Sequence, residues 1–229
     1  MNVRQVLAKL KALGTAQNRK IYARHGISGV AYGVSYANLG SLKKQLKIDH
    51  ALATALWQSG NHDAQVLATM VADPKQTTAR QLDGWAKDLD NHVLCGALSD
   101  LAAQSPAAHS LAKKWVARKG EWHASAGWSL FAQLALDGEC DIDDGEWEAH
   151  LQTIEATIHQ SKNRVRYSMN NALIAIGLRS AVLQQQAIVA ARRIGVVEVD
   201  HGETSCKTPD AVAYIEKSAK RKQAAGKRA

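Results

Sequence analysis

Residues 85–98, WAKDLDNHVLCGAL, place two aspartates, a histidine and a cysteine close together in the sequence. A carboxylate near an imidazole is the pair that general acid–base catalysis uses, and a histidine three residues before a cysteine could share one metal ion. No second pair at ligand spacing accompanies His92 and Cys95, so we expect no metal site and no cofactor. Asp90 and His92 are therefore the candidate catalytic residues of this stretch.

Whether these side chains share one surface depends on the helix that carries them. Asp88 precedes His92 by four residues, which is about one turn of a continuous helix. Residues 89–91, LDN, favour the alternative of a helix end followed by an Asp or Asn that caps the next helix. In that alternative Asp90 is a structural cap, and His92 is an amphipathic ring at the solvent edge of a helix.

Apolar spacing predicts an all-α protein. Trp147, Leu151, Ile154 and Ile158 recur at helical intervals. Each of the three prolines follows a capping residue, which predicts that the prolines begin helices. The predicted helices, joined by short connections, span 36–48, 50–59, 61–72, 75–89, 91–103, 106–118, 121–136, 145–161, 163–179 and 181–194.

Short helices in long succession form either a compact bundle or a stacked array of helix pairs. Successive pairs span roughly 30 to 40 residues, close to the period of HEAT-like repeats, but spacing alone leaves both architectures open. Residues 195–210 interrupt the helices with a β-like VVEV and a polar, turn-forming run. We predict a single domain over 1–215 and a basic, flexible tail over 216–229.

Charge is segregated along the chain. Residues 1–48 contain nine Lys or Arg and no Asp or Glu, and residues 156–197 contain six and none. Residues 137–155 hold eight carboxylates and no Lys or Arg. Because a basic surface attracts polyanions, nucleic acid is the predicted partner, with a merely solvated basic face as the alternative.

The same composition bears on the compartment. No apolar run is long enough to span a bilayer, and the N-terminal residues lack the apolar core and cleavage site of a signal peptide. Cys95, Cys140 and Cys206 are isolated and odd in number, which is typical of reduced thiols. We predict a cytoplasmic monomer that does not contact membranes.

An ordered set of motifs runs through residues 32–74. It comprises Gly33-Val34, a helix with Lys43-Lys44, LATALW at 52–57 and DAQVLA at 63–68. In these motifs the chain resembles the DNA alkylation-repair proteins of the AlkD type. The likeness continues through WAKDLDNHV, EWHASAGW and KNRVRYSMNNALIAIG, and HGETSCKTPDAVAYI resembles the C-terminal signature of one bacterial branch of that family.

This resemblance implies an α-solenoid of HEAT-like helix pairs whose basic, concave face binds double-stranded DNA. Active relatives remove cationic alkylated purines such as 3-methyladenine and 7-methylguanine. Because such a base already carries a positive charge, it leaves without a general acid. A fixed carboxylate can then stabilise the oxocarbenium-like sugar, and the family's catalytic Asp supplies it. Most other glycosylases extrude the base into a pocket, whereas these relatives do not need to do so fully.

Several family positions carry other residues in this sequence. The resemblance places the family's catalytic Trp at His92 and its catalytic Asp, four residues later, at Gly96, which has no carboxylate. The family's Arg corresponds to Ser125, and a lesion-facing Trp corresponds to Ala172. Of the aromatic contacts, Tyr22 is retained. We therefore expect glycosylase activity to be weak or absent.

DNA binding is expected to survive these changes, because phosphate contacts need only donors and positive charge. One group of candidates lies at a predicted helix start, where backbone N–H groups also attract anions. The candidate nucleic-acid-binding residues are Tyr22, Lys43, Lys44, Lys162, Asn163, Arg164 and Arg166. The leading hypothesis is a duplex-DNA-binding protein. One alternative is an active glycosylase with Asp90 as substitute carboxylate, and the other is a protein-binding solenoid that uses residues 137–155.

Overall fold

A computed structural model describes residues 1–226 of the protein, with side chains described up to residue 221. Within this range the regular secondary structure is helical, with two short 3₁₀ turns and no strand, which confirms the predicted all-α class. None of the described helices is long and apolar enough to cross a membrane. The helices are α1 (Val3–Leu13), α2 (Ala16–Arg24), α3 (Tyr36–Leu46), α4 (His50–Gln58), α5 (His62–Val71), α6 (Ala79–Trp85), α7 (His92–Ala103), α8 (Ala108–Val116), α9 (Glu121–Leu136), α10 (Asp144–Thr157), α11 (Asn163–Ile176), α12 (Ala181–Ile194) and α13 (Ala211–Gly226).

Each helix predicted between residues 36 and 194 is present, as α3 to α12, with ends that differ by a few residues. The prediction that the prolines begin helices was wrong, because none of the three is itself helical. Pro74 lies in a turn before α6, and Thr78 supplies the cap by accepting the N–H of Gln81 at its hydroxyl, 3.2 Å away. Pro209 likewise precedes a polar cap, Asp210, whose carboxylate accepts the Ala213 N–H at 2.9 Å, so these two prolines mark the approach to a helix that a later polar residue begins.

The described chain divides into two compact units. The first unit comprises Met1–Leu111 with His201–Ser205, and the second comprises Ala112–Asp200 with the chain from Cys206 onward. The single domain predicted over 1–215 stays a prediction. The tail predicted over 216–229 falls largely within α13, which continues to Gly226, and residues 227–229 lie outside the described residues.

Helices that are two apart in the sequence pack on each other within both units. In the first unit α3 packs on α5 and α5 on α7, and in the second α9 packs on α11 and α10 on α12. When helix pairs stack in an array, each helix packs on the helix two positions along the chain. In a small bundle, packing is mainly between consecutive helices. Between the two architectures that the sequence left open, the packing within each unit is that of stacked helix pairs.

Each unit has its own aromatic core. In the first, the indoles of Trp57 and Trp85 stack with their centroids 4.4 Å apart and their planes 2° apart. In the second, Phe131 lies edge-on to Trp147 with their ring centroids 6.1 Å apart, and the Arg179 guanidinium lies over the Trp147 ring. The large aromatic side chains at helical spacing are therefore mainly core residues.

Residues 195–210 form an irregular segment without the strand that VVEV suggested. Asn163 of α11 holds this segment through both ends of its amide: its oxygen accepts the Asp200 N–H at 2.7 Å, and its nitrogen donates to the Asp200 carbonyl at 2.8 Å. Farther along α11, Asn170 donates to the carbonyl of Pro209 at 3.0 Å. Side chains of α11 thus replace the backbone pairing that the segment lacks.

Candidate nucleic-acid interface

A groove of about 460 Å³ on the first unit is lined by residues of α3, α5 and α7. Helix α3 contributes Tyr36 and Lys43, which are two turns apart on one face. Helix α7 contributes His92, Gly96 and Asp100, which follow one another at intervals of four residues. The structure thus brings three residues singled out from the sequence, Lys43, His92 and Gly96, to one surface.

Gly96 opens onto free space in this groove. A Cβ atom added at this position would meet no atom within 4 Å beyond its chain neighbours and the nearby backbone of α7. A longer side chain could therefore extend into the groove without displacing its walls. The lack of a carboxylate at position 96 is a matter of residue type and not of space.

Helix α7 begins after a break, and Asn91 is its cap. The Asn91 side-chain oxygen accepts the N–H groups of Val93 and Leu94, both at 3.0 Å. The predicted helix break with an Asp or Asn cap is therefore confirmed, and Asn91 is the cap, whereas the interpretation of Asp90 as the structural cap was wrong. The Asp90 carboxylate is exposed, accepts the Asn91 amide at 2.6 Å and does not line the groove. Its candidate catalytic role stays a prediction.

Asp88 belongs to the 3₁₀ turn that precedes this break, so no continuous helix joins it to His92. Its carboxylate instead accepts the indole N–H of Trp57 at 2.8 Å. The Asp88–His92 pairing on one helical face is therefore excluded. Among the described residues, no group of three or more His, Cys, Asp or Glu side chains comes together in a way that could hold a metal ion.

His92 is half-buried at the edge of the groove, with its ring centroid 5.7 Å from that of His25. The carboxylate that does line the groove is that of Asp100, which was not among the residues predicted from the sequence. Partial burial raises the pKa of Tyr36, and the negative charge of Asp100 raises it further. The four-residue interval from Gly96 to Asp100 was the sequence signal that could have identified this carboxylate.

Asp63 anchors the segment that leads into α3. It is fully buried, and its carboxylate accepts the backbone N–H groups of Tyr32 at 2.6 Å, Gly33 at 3.2 Å and Val34 at 2.8 Å. Gly33 has a φ of +80°, a left-handed conformation that favours glycine. The Gly33-Val34 motif and the aspartate that opens DAQVLA are therefore two parts of one hydrogen-bonded structure.

Tyr22 belongs to the same network. Its hydroxyl lies 2.5 Å from the Val34 carbonyl oxygen and 3.0 Å from an Asp63 carboxylate oxygen. Burial, together with the negative charge of Asp63, raises the pKa of Tyr22 well above its usual range. The hydroxyl is thus engaged inside the first unit, and a DNA contact by the ring of Tyr22 stays a prediction.

His62, next to this network, predicts a dependence of stability on pH. Its buried ring lies edge-on to Tyr22 at 5.3 Å, and burial lowers its pKa, against the opposing charges of Asp63 and Asp90. The unfolded chain then binds a proton near pH 6.5 that the folded chain binds only at lower pH. Stability is therefore complete above about pH 6.5 and is lost as the pH falls through the folded pKa. We expect the free energy of unfolding to decrease by up to about 1.4 kcal/mol per pH unit in that window.

Urea unfolding followed by tryptophan fluorescence between about pH 7.5 and 5.5 measures this slope. His62→Gln should flatten it, whereas His159→Gln, at an exposed histidine, should leave it unchanged. An identical slope in wild type and His62→Gln would show that His62 does not cause the effect.

The predicted phosphate-binding helix start is that of α11 on the second unit. The carboxylate of Glu121 accepts the backbone N–H of Arg164 at 2.8 Å, and both ends of the Asn163 amide hold Asp200. This helix start is therefore not an open anion site, because a carboxylate of α9 already occupies one of its donors. Lys162 is exposed, whereas the Nε of Arg166 is buried and has no hydrogen-bond partner among the described residues. Nucleic-acid contacts by these side chains, and by the exposed Lys44 at the end of α3, stay predictions.

The two remaining family positions lie inside the second unit. Ser125 of α9 is 2% exposed, and its hydroxyl lies 2.7 Å from that of Ser168 on α11. Ala172 of α11 is fully buried. An arginine or a tryptophan at these positions would require the packed helices to move apart, because a close-packed interior does not absorb such volumes.

Comparisons with known proteins agree with this architecture. Residues 6–215 match the family model described as DNA alkylation repair enzyme. Uncharacterized proteins of Listeria innocua and Listeria monocytogenes are 32% and 30% identical over 224 residues, and each alignment covers 95% of this chain and 97% of the relative.

A solved structure is also similar, with a TM-score of 0.87 and 28% identity over 96% of this chain and 95% of the other. It is described as "A new family of proteins related to the HEAT-like repeat DNA glycosylases with affinity for branched DNA structures". Together with the helix packing in each unit, this likeness confirms the predicted HEAT-like fold.

Proposed function

We infer, from the premise that this chain belongs to the DNA alkylation repair family, that it is a DNA-binding protein with weak or absent release of alkylated purines. The observation that carries this proposal is the groove of the first unit. Lys43 and Tyr36 border it, while Gly96, the position of the family's catalytic Asp by resemblance, presents no side chain. The surface is suited to contact DNA, and its one carboxylate, that of Asp100, lies four residues beyond Gly96, where the family's catalytic carboxylate is expected by resemblance.

The partner is double-stranded DNA, including branched forms. The net charge of +8 and the acid-free residues 1–48 favour attraction to a phosphate backbone over attraction to a neutral or basic protein. The arms of a branched structure are duplexes that present the same phosphates. The similar solved structure is described as that of a family with affinity for branched DNA, which supports including branched DNA in the proposal.

Two features support binding over catalysis. Asp90, the substitute carboxylate of the alternative hypothesis, does not line the groove that holds Gly96 and His92. Ser125 and Ala172 are buried, so neither presents a group to DNA. A base that leaves as a cationic purine still needs a fixed negative charge beside its sugar, and these positions do not supply one.

The alternative of a protein-binding solenoid receives less support. It depends on the carboxylates of residues 137–155, and several of these are engaged within the second unit. Glu146 pairs with Lys113 at 3.3 Å, Glu155 with Arg193 at 3.4 Å, and Glu148 accepts the Gln186 amide at 2.5 Å. The acidic segment therefore has partners inside its own unit.

Binding is expected to weaken steeply with salt. Phosphate neutralisation releases counterions, so the logarithm of the binding constant should fall linearly with the logarithm of the salt concentration. Fluorescence anisotropy of a labelled duplex and a labelled four-way junction between about 50 and 200 mM salt measures the slope. Lys43→Gln should weaken binding regardless of DNA sequence and reduce the slope by about 1.

Lys87→Gln is the matched control, because Lys87 is an exposed lysine of the same unit that does not line the groove. It should bind as the wild type does. No binding of either DNA at low salt would exclude the proposed function.

A further inference from the structure

We propose that the groove of the first unit is a subsite for one unpaired nucleotide of DNA. Its base would stack on Tyr36, its amino group would donate to Asp100, and a flanking phosphate would pair with Lys43. This inference rests on the proposed DNA binding and specifies which part of the DNA binds in the groove.

Tyr36 is the stacking surface. It exposes 56% of its area and is the first residue of α3, where the Ser35 hydroxyl caps the helix by accepting the Asn38 N–H at 3.3 Å. The position of the ring is thus set by a capped helix start, while its surface stays open to the groove. Bases stack on such aromatic side chains whatever their identity, because every base has a π-face.

Asp100 determines which edge of the base enters the groove. Asp100 and Lys43 line the same groove, and because a carboxylate repels a phosphate, a bound phosphate is expected at Lys43 and not at Asp100. A carboxylate does accept hydrogen bonds from base amino groups, as Asp and Glu do from cytosine N4. The effect of the Asp100 charge on the Tyr36 hydroxyl agrees with their facing the same part of the groove.

The space for the base lies along α7. Gly96 has no side chain, so the surface between His92 and Asp100 is open. The volume of about 460 Å³ falls among those of small-molecule sites. Lys43 lies two helical turns, about 10 Å, along α3 from Tyr36, and its flexible stem can reach a phosphate beside the bound base.

The occupant must be unpaired. A base within a duplex is covered by its neighbours on both faces, and its Watson–Crick edge already bonds to the partner strand. Neither Tyr36 nor Asp100 could then engage it as proposed. Unpaired nucleotides occur at bulges and at branch points that are not fully paired, so this subsite predicts tighter binding to such structures than to fully paired DNA.

The test compares four labelled DNAs of one length by fluorescence anisotropy: a fully paired duplex and three duplexes with a single extra cytosine, thymine or abasic nucleotide. Wild type should bind the extra cytosine on the order of tenfold more tightly than the paired duplex. Thymine should gain less, because carbonyl oxygens flank its N–H and repel the carboxylate. The abasic nucleotide should gain nothing.

Three variants test the roles of Asp100 and Tyr36 in the subsite. Asp100→Asn should bind cytosine and thymine equally, because an amide can both accept from and donate to a base. Tyr36→Leu should lose the gain for both bases, whereas Tyr36→Phe, which keeps the ring, should retain it. Circular dichroism establishes that each variant is folded, and the ratio between two DNAs within one variant is insensitive to overall changes in charge.

The outcomes separate this inference from the proposed function. If wild type binds no DNA, both fail. If it binds paired and extra-nucleotide duplexes equally, DNA binding stands and the subsite is overturned. A preference for cytosine that persists in Asp100→Asn, or a gain that persists in Tyr36→Leu, would likewise overturn the assignment of that residue.

Discussion

Asp63→Asn is expected to lower the free energy of unfolding by about 3 kcal/mol or more, a large part of the roughly 5–15 kcal/mol that stabilises a domain. The buried carboxylate accepts three backbone N–H groups and lies near the Tyr22 hydroxyl. An asparagine keeps one accepting oxygen and turns an amide N–H₂ toward donors. At least one buried N–H group then loses its partner and faces another donor.

The same change should disturb the groove. Asp63 lies in the first turn of α5, whose later residues Val66, Thr69 and Met70 line the groove. Its carboxylate holds residues 32–34, which lead into α3. This contact therefore sets where the chain enters α3 relative to α5. The expected functional consequence is weaker DNA binding at temperatures where the variant is still folded.

Urea unfolding at pH 7.5 measures the loss in stability. Tyr22→Phe, which removes one neutral hydroxyl from the same network, should cost only about 1 kcal/mol. Asp90→Asn, at an exposed aspartate of the same unit, should change the free energy of unfolding by less than about 0.5 kcal/mol. An Asp63→Asn variant as stable as Tyr22→Phe would refute the anchoring role of Asp63.

Gly96→Asp is expected to increase the release of 7-methylguanine from methylated DNA on the order of tenfold over wild type. By resemblance this is the position of the family's catalytic carboxylate, and the structure leaves open space there for a side chain. A carboxylate in the groove can stabilise the positive charge that develops on the sugar as the base leaves. The gain should be far below that of an optimised enzyme, because Ser125 and Ala172 remain buried small residues.

The substitution should be compatible with folding. Replacing a glycine inside α7 by aspartate costs no helix propensity, and no atom beyond the helix itself lies within 4 Å of the new Cβ. Gly96→Asn is the control for shape without charge. Gly84→Asp is the control for a new carboxylate in open space outside the groove.

Quantifying released base under single-turnover conditions distinguishes the hypotheses. Both controls should release no more base than wild type, and wild type little or none above the spontaneous rate. Release by wild type that Asp90→Asn abolishes would instead establish Asp90 as the substitute carboxylate. A Gly96→Asp variant that binds DNA and releases no additional base would contradict the expected gain.

The order and approximate extent of α3 to α12 were predictable from the sequence. The signals for these elements are local, since apolar residues repeat along one helical face and short polar side chains cap the first turn. Asn91 illustrates both the strength and the limit of such signals. The sequence placed a helix start at residues 89–91, but whether Asp90 or Asn91 capped it depended on local geometry.

The motifs that carry the family resemblance could also be recognised in the sequence. The contacts between these motifs could not be predicted from it. Gly33-Val34 and Asp63 carried the resemblance as separate motifs. Only the folded chain joins them, because Asp63 reaches residues about 30 positions away. A contact over that distance depends on how α5 packs against the segment before α3, which no periodicity specifies.

The groove likewise depended on tertiary structure. Sequence alone determined that the chain is a helical, basic protein of a DNA-repair family with no carboxylate at Gly96. Packing of α3 against α5 and of α5 against α7 decided that Tyr36, Lys43 and Asp100 share one surface with Gly96, and that Asp90 does not. The physical reason is that side-chain spacing along one helix is set by the helix itself, whereas the side chains of different helices meet only where packing brings their faces together.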